Sequence, residues 1–230
     1  MSLNIKKLIP KSIKRPIKEM LLRRSLRVAI ERMRKLPAGQ VPDREQLLQL
    51  MTGWSNEGYA ANLEYLEAVA QNAVRVEGPI LECGSGATTI LLGVLCEKRN
   101  IEVWSLEHSE PWRQRVSDVL KKSDISGVHV CSSALVEQGD FAWYSPPLDR
   151  MPKQFSLVIC DGPPGSTKGG RYGLLPVMGN RLPLGSIILA DDAGRPDEAR
   201  LIKRWESEAG FQTELIKTAT RKYAVMRRVS

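Results

Sequence analysis

The chain has 230 residues, of which 42% are hydrophobic and 26% charged, a length and composition that suit one globular α/β core and leave no room for two. Its formal charge of +8 suggests a nucleic-acid binder until it is divided along the chain. Residues 1–36 hold 12 Lys and Arg against Glu19 and Glu31, so the other 194 residues carry 22 basic and 24 acidic side chains. That body has no excess positive charge with which to track phosphates, which excludes an ordinary nucleic-acid partner.

No stretch reaches the ~18 consecutive apolar residues of a membrane span. Cys83, Cys96, Cys131 and Cys160 show no C-x-x-C spacing, and His108 and His129 do not cluster with them. The cysteines therefore read as buried thiols in a reducing compartment rather than as zinc ligands. The expected location is cytoplasmic, with peripheral attachment to the inner membrane surface as the alternative.

Residues 3–36 repeat apolar side chains at helical intervals, with Ile13, Ile17, Met20 and Leu21 in one run and Leu26, Ala29, Ile30 and Met33 in the next. Pro10 and Pro16 should divide this basic extension into short helices. Such a segment can pack on its own body, or lie on an anionic membrane or an acidic partner. Residues 37–42 look like a hinge leading into a domain over 43–230.

From there, helices near 43–52 and 58–75 precede apolar runs at 79–83, 101–106, 128–131, 155–160 and 186–190. Helical patterns at 88–98, 110–122, 171–182 and 196–209 lie between them or follow. Short, wholly apolar strands alternating with helices predict a parallel sheet covered on both faces. Two last strands, at 211–217 and 223–228, are joined by a short polar loop and must pair antiparallel.

The turn Gly84-Ser85-Gly86 leaves the first strand and opens a helix, a place where backbone can approach a ligand closely. Position 89 is Thr89, where a dinucleotide fingerprint has its third glycine. Glu82 precedes the turn, and Glu107 ends the second strand 21 residues beyond Gly86. A carboxylate there can accept both hydroxyls of a ribose. Alone, this pattern also fits a nicotinamide-dependent reductase, or a glycine turn that merely packs helix on strand.

Four segments narrow the choice: Leu81-Glu82-Cys83-Gly84-Ser85-Gly86-Ala87-Thr88-Thr89, Ser105-Leu106-Glu107-His108, Val158-Ile159-Cys160-Asp161 and Ile188-Leu189-Ala190-Asp191-Asp192. With them, residues 50–230 resemble the class I S-adenosylmethionine-dependent methyltransferases. The resemblance implies an α/β, Rossmann-like, seven-stranded and mainly parallel sheet of order 3-2-1-4-5-7-6, strand 7 antiparallel, with helices on both faces. It implies S-adenosylmethionine as cofactor, held by Glu57, Glu82, Gly84, Ser85, Gly86, Thr88, Glu107, His108, Ser133, Ala134 and Asp161. Glu57 and Gly58 would close over the methionine end, and Ser132, Ser133 and Ala134 would flank the adenine.

Asp161, Asp191 and Asp192 end neighbouring strands and should converge. Three acids together suit Mg²⁺, which can orient a substrate hydroxyl and lower its pKa, and the layout resembles the metal-binding catechol and caffeoyl-coenzyme A O-methyltransferases. Gly162-Pro163-Pro164-Gly165 departs from those enzymes and resembles a bacterial branch, some members of which are associated with saccharide modification; Asp192 could then simply cap the next helix. Asp161 is expected as base or metal ligand, with Lys168 as the other activator. Arg171 and Arg195 would hold an anionic substrate or remain solvated loop charges, and Trp143 and Tyr144 would line an acceptor pocket or cover the sheet. The expected activity is O-methylation of a small molecule or saccharide. The alternatives are a non-catalytic module docking on a membrane or acidic partner, and a reductase, the latter opposed by Thr89 and by the lack of a Tyr-x-x-x-Lys pair.

Overall fold

Apolar runs become strands and amphipathic stretches become helices in the computed structural model, which describes residues 11–55 and 62–230. Helices α1 (Lys11–Arg34), α2 (Arg44–Trp54) and α3 (Leu63–Ala73) lead into an alternation of β1 (Ile80–Cys83), α4 (Ala87–Glu97), β2 (Val103–Glu107), α5 (Glu110–Lys122) and β3 (Val128–Ser132). A hairpin of β4 (Leu135–Gln138) and β5 (Phe141–Tyr144) follows. Then come β6 (Leu157–Cys160), α6 (Leu174–Met178), β7 (Ile187–Ala190), α7 (Pro196–Ala209), β8 (Phe211–Lys217) and β9 (Lys222–Arg228).

The main sheet runs β3-β2-β1-β6-β7-β9-β8, with β9 alone opposed to the rest. Counting only its own seven strands, this is the expected order 3-2-1-4-5-7-6. Alternation along the strands divides the core in two. Ile80, Leu157, Ile159, Ile187 and Leu189 pack with α1 to α4 on one face, while Leu81, Cys83, Val158, Cys160, Ile188 and Ala190 pack with the hairpin, α6 and α7 on the other. Among the described residues no helix is long and apolar enough to cross a membrane.

Three sequence expectations change. The helix predicted over 171–182 shrinks to five residues plus a 3-10 turn at Gly179–Arg181, because Pro176 and Gly179 interrupt it. The insertion after β3 contains the β4–β5 hairpin, turned at Gly139 with φ +67°. Pro16 does not split the N-terminal segment: α1 is one 24-residue helix, since a proline deletes a single donor and lies here close to the helix start.

Nor is α1 a free extension. Leu26, Ala29, Ile30 and Met33 are buried in the same cluster as Leu47, Leu50 and Leu91, and residues 37–42 form a turn closed by Gln40 N–H to the Pro37 carbonyl at 3.1 Å. Asp43 then caps α2 by accepting from Gln46 N–H at 2.8 Å, while its own N–H donates to Gln46 Oε1 at 3.0 Å.

The two helices cross where Gly53 meets the Leu26 backbone. A Cβ on Gly53 would lie 2.5 Å from Leu26 N and 2.7 Å from its Cα, and backbone cannot yield as a side-chain tip can. Gly53→Val should therefore cost about 2 kcal/mol or more in urea unfolding, as overpacking does. An unchanged midpoint would mean that α1 is not seated on the body in this way.

Candidate functional site

The turn after β1 is shaped by two glycines from different strands. Gly84 adopts φ +89°, and a Cβ there would press on Gly162 N at 3.1 Å and its Cα at 3.2 Å. Gly162 N–H donates to the Cys83 carbonyl at 2.6 Å, so the turns after β1 and β6 rest against each other. A side chain on Gly162 would in turn collide with the Tyr144 hydroxyl. Gly86, by contrast, is extended, and a Cβ there would meet nothing within 4 Å. Its missing side chain leaves open space at the N-terminus of α4.

Glu107 faces this turn from the end of β2 and is almost wholly buried. Its Oε2 accepts from Ser85 N–H at 3.0 Å and Ser85 Oγ at 2.8 Å, and its Oε1 accepts from Ser109 N–H at 2.8 Å. His108 Nδ1 stands 3.2 Å from Oε1, while Trp112 Nε1 donates to the Ser85 carbonyl at 2.5 Å. A carboxylate has about four acceptor positions, so Glu107 is held in place by three donors with one position, on Oε1, left for a ligand hydroxyl. Ser133 N–H donates to the Glu107 carbonyl at 2.8 Å. The Ser133 hydroxyl is buried without a protein partner, and Ala134 beside it is exposed.

Glu82 and Thr88 have a different task from the one expected. Glu82 is fully buried and accepts from Thr88 at 2.6 Å, Thr89 at 2.5 Å and Ser105 at 2.5 Å. Its carboxyl braces the start of α4 against β2 and offers no surface to a ligand. The Thr88 hydroxyl, turned inward to Glu82, shares that bracing role. Thr89 Oγ1 also accepts the Gly86 N–H at 2.7 Å, which accounts for threonine where a dinucleotide site has glycine. Glu57 and Gly58 lie outside the described residues.

Asp161, Asp191 and Asp192 do converge, each offering an oxygen within 4.8 Å of the others. What the sequence did not reveal is the cation already among them. Arg171 is 2% exposed, so it is neither a solvated loop charge nor a hand held out to substrate. Its Nη2 lies 3.3 Å from Asp161 Oδ1, 3.5 Å from Asp192 Oδ2 and 2.6 Å from the Asp161 carbonyl. Its Nη1 donates to the Asp191 carbonyl at 2.5 Å, and Glu198 stands 3.7 Å from Nε. Arg195 lies 3.0 Å from Asp192, and Arg221 lies 3.6 Å from Asp192 and 3.9 Å from Asp191. Burial and the neighbouring Asp161 and Asp192 push the Asp191 carboxyl up to about 7, and its Oδ2 has no hydrogen-bond partner.

These residues do not fit a resident Mg²⁺. A guanidinium nitrogen already bridges Asp161 Oδ1 and Asp192 Oδ2, so two of the three carboxylates are committed to Arg171, and three arginines stand among the four acids. Asp192 is not a helix cap either: it takes φ +58°, and Arg195 is the N-cap of α7. Lys168 is directed elsewhere, with its ammonium 3.7 Å from Glu137 of the hairpin. Trp143 and Tyr144 are fully buried over the sheet, and the Tyr144 hydroxyl has no hydrogen-bond partner.

No family model matches the chain, and no curated protein does. Solved structures do. An O-methyltransferase from Bacillus cereus in complex with SAH superposes with TM-score 0.57 at 15% identity, covering 81% of this chain and 92% of that one. A precorrin-6y C5,15-methyltransferase from Geobacter metallireducens gives 0.57 at 15%, with 76% and 93% covered. An SAH-bound methyltransferase from Podospora anserina gives 0.55 at 14%, with 97% and 98% covered. The fold is the Rossmann-like α/β fold of the class I methyltransferases.

Burial lifts the Glu82 carboxyl to about 7 from a usual 4.5, against the three hydroxyls that favour its charge. A raised acid contributes stability that is complete below its unfolded pKa and is lost as pH climbs through the folded one. Relative to Glu82→Gln, the wild-type chain should thus lose on the order of 3 kcal/mol between about pH 4.5 and 8. Parallel unfolding curves for the two proteins across that window would contradict it.

Proposed function

We propose that this chain is an S-adenosylmethionine-dependent methyltransferase acting on a hydroxyl of a small molecule or saccharide. The carrying observation is Glu107: a buried carboxylate fixed by Ser85 and Ser109 at the end of β2, beside the open turn at Gly86. That arrangement leaves an acceptor position for a ribose hydroxyl and suits a nucleoside rather than a pyrophosphate, for which the turn has no third glycine. Two of the similar structures carry SAH, which supports the same cofactor here. When bound, the cofactor supplies an electrophilic methyl group.

The residues of this chain then have separable tasks. Glu107 and Ser133 bind the nucleoside, with Gly84 and Gly86 giving backbone access. Asp161, whose side chain is one-third exposed, takes the proton of the acceptor hydroxyl. Arg171 fixes Asp161 through both its carboxylate and its carbonyl, so the base is positioned before substrate arrives. Arg195, 56% exposed, stands at the rim where an acidic group of the acceptor could pair with it. No step requires a metal.

Calorimetry with SAH tests the cofactor assignment. The wild-type protein should bind, and Glu107→Ala should weaken binding ~30-fold, as expected for a hydrogen bond to a charged group. Absence of binding by pure wild-type protein overturns the reading. With radiolabelled methyl donor and a panel of hydroxylated small molecules and saccharides, Asp161→Asn should keep SAH affinity and lower kcat by roughly 10²- to 10⁴-fold.

The metal question has its own readout. Mn²⁺ followed by electron paramagnetic resonance should remain free in the presence of the protein, and a chelator should leave methyl transfer unchanged. Stoichiometric Mn²⁺ uptake that Asp191→Asn abolishes would show that the acids do take a cation.

A further inference from the structure

Helix α1 carries two apolar stripes on opposite sides. At about 100° per residue, Leu26, Ala29, Ile30 and Met33 share one face, and all four are buried against the body. Ile17, Met20 and Leu21 share the opposite face and are 41%, 61% and 54% exposed. A helix needs one apolar stripe to pack on a core. The second is turned away from that core and has no partner among the described residues.

The charges around the second stripe indicate what covers it. Arg24 falls within the stripe itself, with Arg23 and Arg27 beside it, and all three are exposed. Their intrahelical neighbours are weak counterweights: Glu19 lies 4.0 Å from Arg23 and Glu31 lies 3.6 Å from Arg27, both largely solvated. Long basic side chains flanking exposed apolar ones are the composition of a helix lying in a membrane interface, where arginine stems lie along the acyl boundary and their heads meet lipid phosphates. A second copy of the chain is a poor occupant, because self-pairing would bring two sets of these arginines together. The body, with its small net negative charge, would itself be repelled from an anionic bilayer, so the basic arm is the side that can approach.

We propose that the exposed stripe Ile17, Met20 and Leu21, with Arg23, Arg24 and Arg27, docks the protein on an anionic membrane surface. The buried stripe keeps the helix fixed to the body meanwhile, so docking needs no detachment of α1. The proposal is independent of the methyltransferase assignment.

Sedimentation of the full-length protein with vesicles tests it, comparing phosphatidylcholine alone with phosphatidylcholine containing about one-third phosphatidylglycerol. Binding is expected only to the anionic vesicles, and it should weaken as salt rises. The triple variants I17S/M20S/L21S and R23Q/R24Q/R27Q should each reduce partitioning at least ~10-fold. Every substituted side chain is exposed, so unfolding midpoints should match wild type and separate lost docking from lost fold. Failure to sediment with anionic vesicles, or sedimentation undiminished in both variants, overturns the proposal. So does a homodimer, seen by light scattering, that I17S/M20S/L21S dissociates without any vesicle binding by the wild type.

Discussion

The contact between Gly84 and Gly162 is the constraint on which the rest of the site depends. These residues follow β1 and β6, the adjacent central strands of the sheet, and neither turn can carry a side chain while Gly162 N–H reaches the Cys83 carbonyl. Because the turns touch, everything they support keeps a fixed separation. Ser85, and through it Glu107, is set on one side; Asp161 is set on the other. Under the proposed function, this backbone contact would set the distance between the cofactor and acceptor sides of the site, and fixed orientation serves catalysis.

Beyond that contact the problem is electrostatic. Open α/β sheets gather side chains at the carboxyl ends of their strands, and here four of those gathered or brought close are acids. Arg171 answers this from a loop bent by Gly169 and Gly170, both with positive φ. Burial opposes its charge, but the carboxylates around it more than compensate and hold the guanidinium protonated. A buried ion cluster of this kind adds little net stability compared with apolar packing, yet removing one member leaves the others uncompensated. Its clearer contribution is geometric, since a planar fork bonded to the carbonyls of Asp161 and Asp191 ties the ends of β6 and β7 to each other.

The sheet was legible because its strands are short and apolar on both faces, and because a terminal pair without a helix between them can only form a hairpin. Placement in the site was legible where it follows from a strand end: Glu107 faces the turn after β1, and the three aspartates converge. It was not legible where the role depends on which way a side chain turns. Glu82 and Glu107 are both acids on central strands, but Glu82 points into the sheet toward Ser105 and the threonines of α4. Arg171 is one of several cations in a glycine-rich loop, and only the folded chain separates it from Lys168. The hairpin did leave a trace: Gly139-Asp140 between Leu135-Val136 and Phe141-Ala142-Trp143-Tyr144 is a two-residue turn between strand-forming runs.

Helix α1 shows why composition alone misreads a terminal segment. Its apolar residues look like one interrupted amphipathic pattern, and the proline between charged residues invites a break. In three dimensions the runs before and after Arg24 fall on opposite faces. The C-terminal run completes the core under α2 and α4, and Gly53 allows the close crossing that seats it. The N-terminal run is surplus to that packing, and the surrounding arginines have no comparable excess of acid on the body to answer them. One continuous helix thus has one face committed to the fold and, among the described residues, another exposed to solvent. The arginines of α1 divide in the same way: Arg32 and Arg34 pair with Glu45 and Glu97 of the body, while Arg23, Arg24 and Arg27 are exposed to solvent.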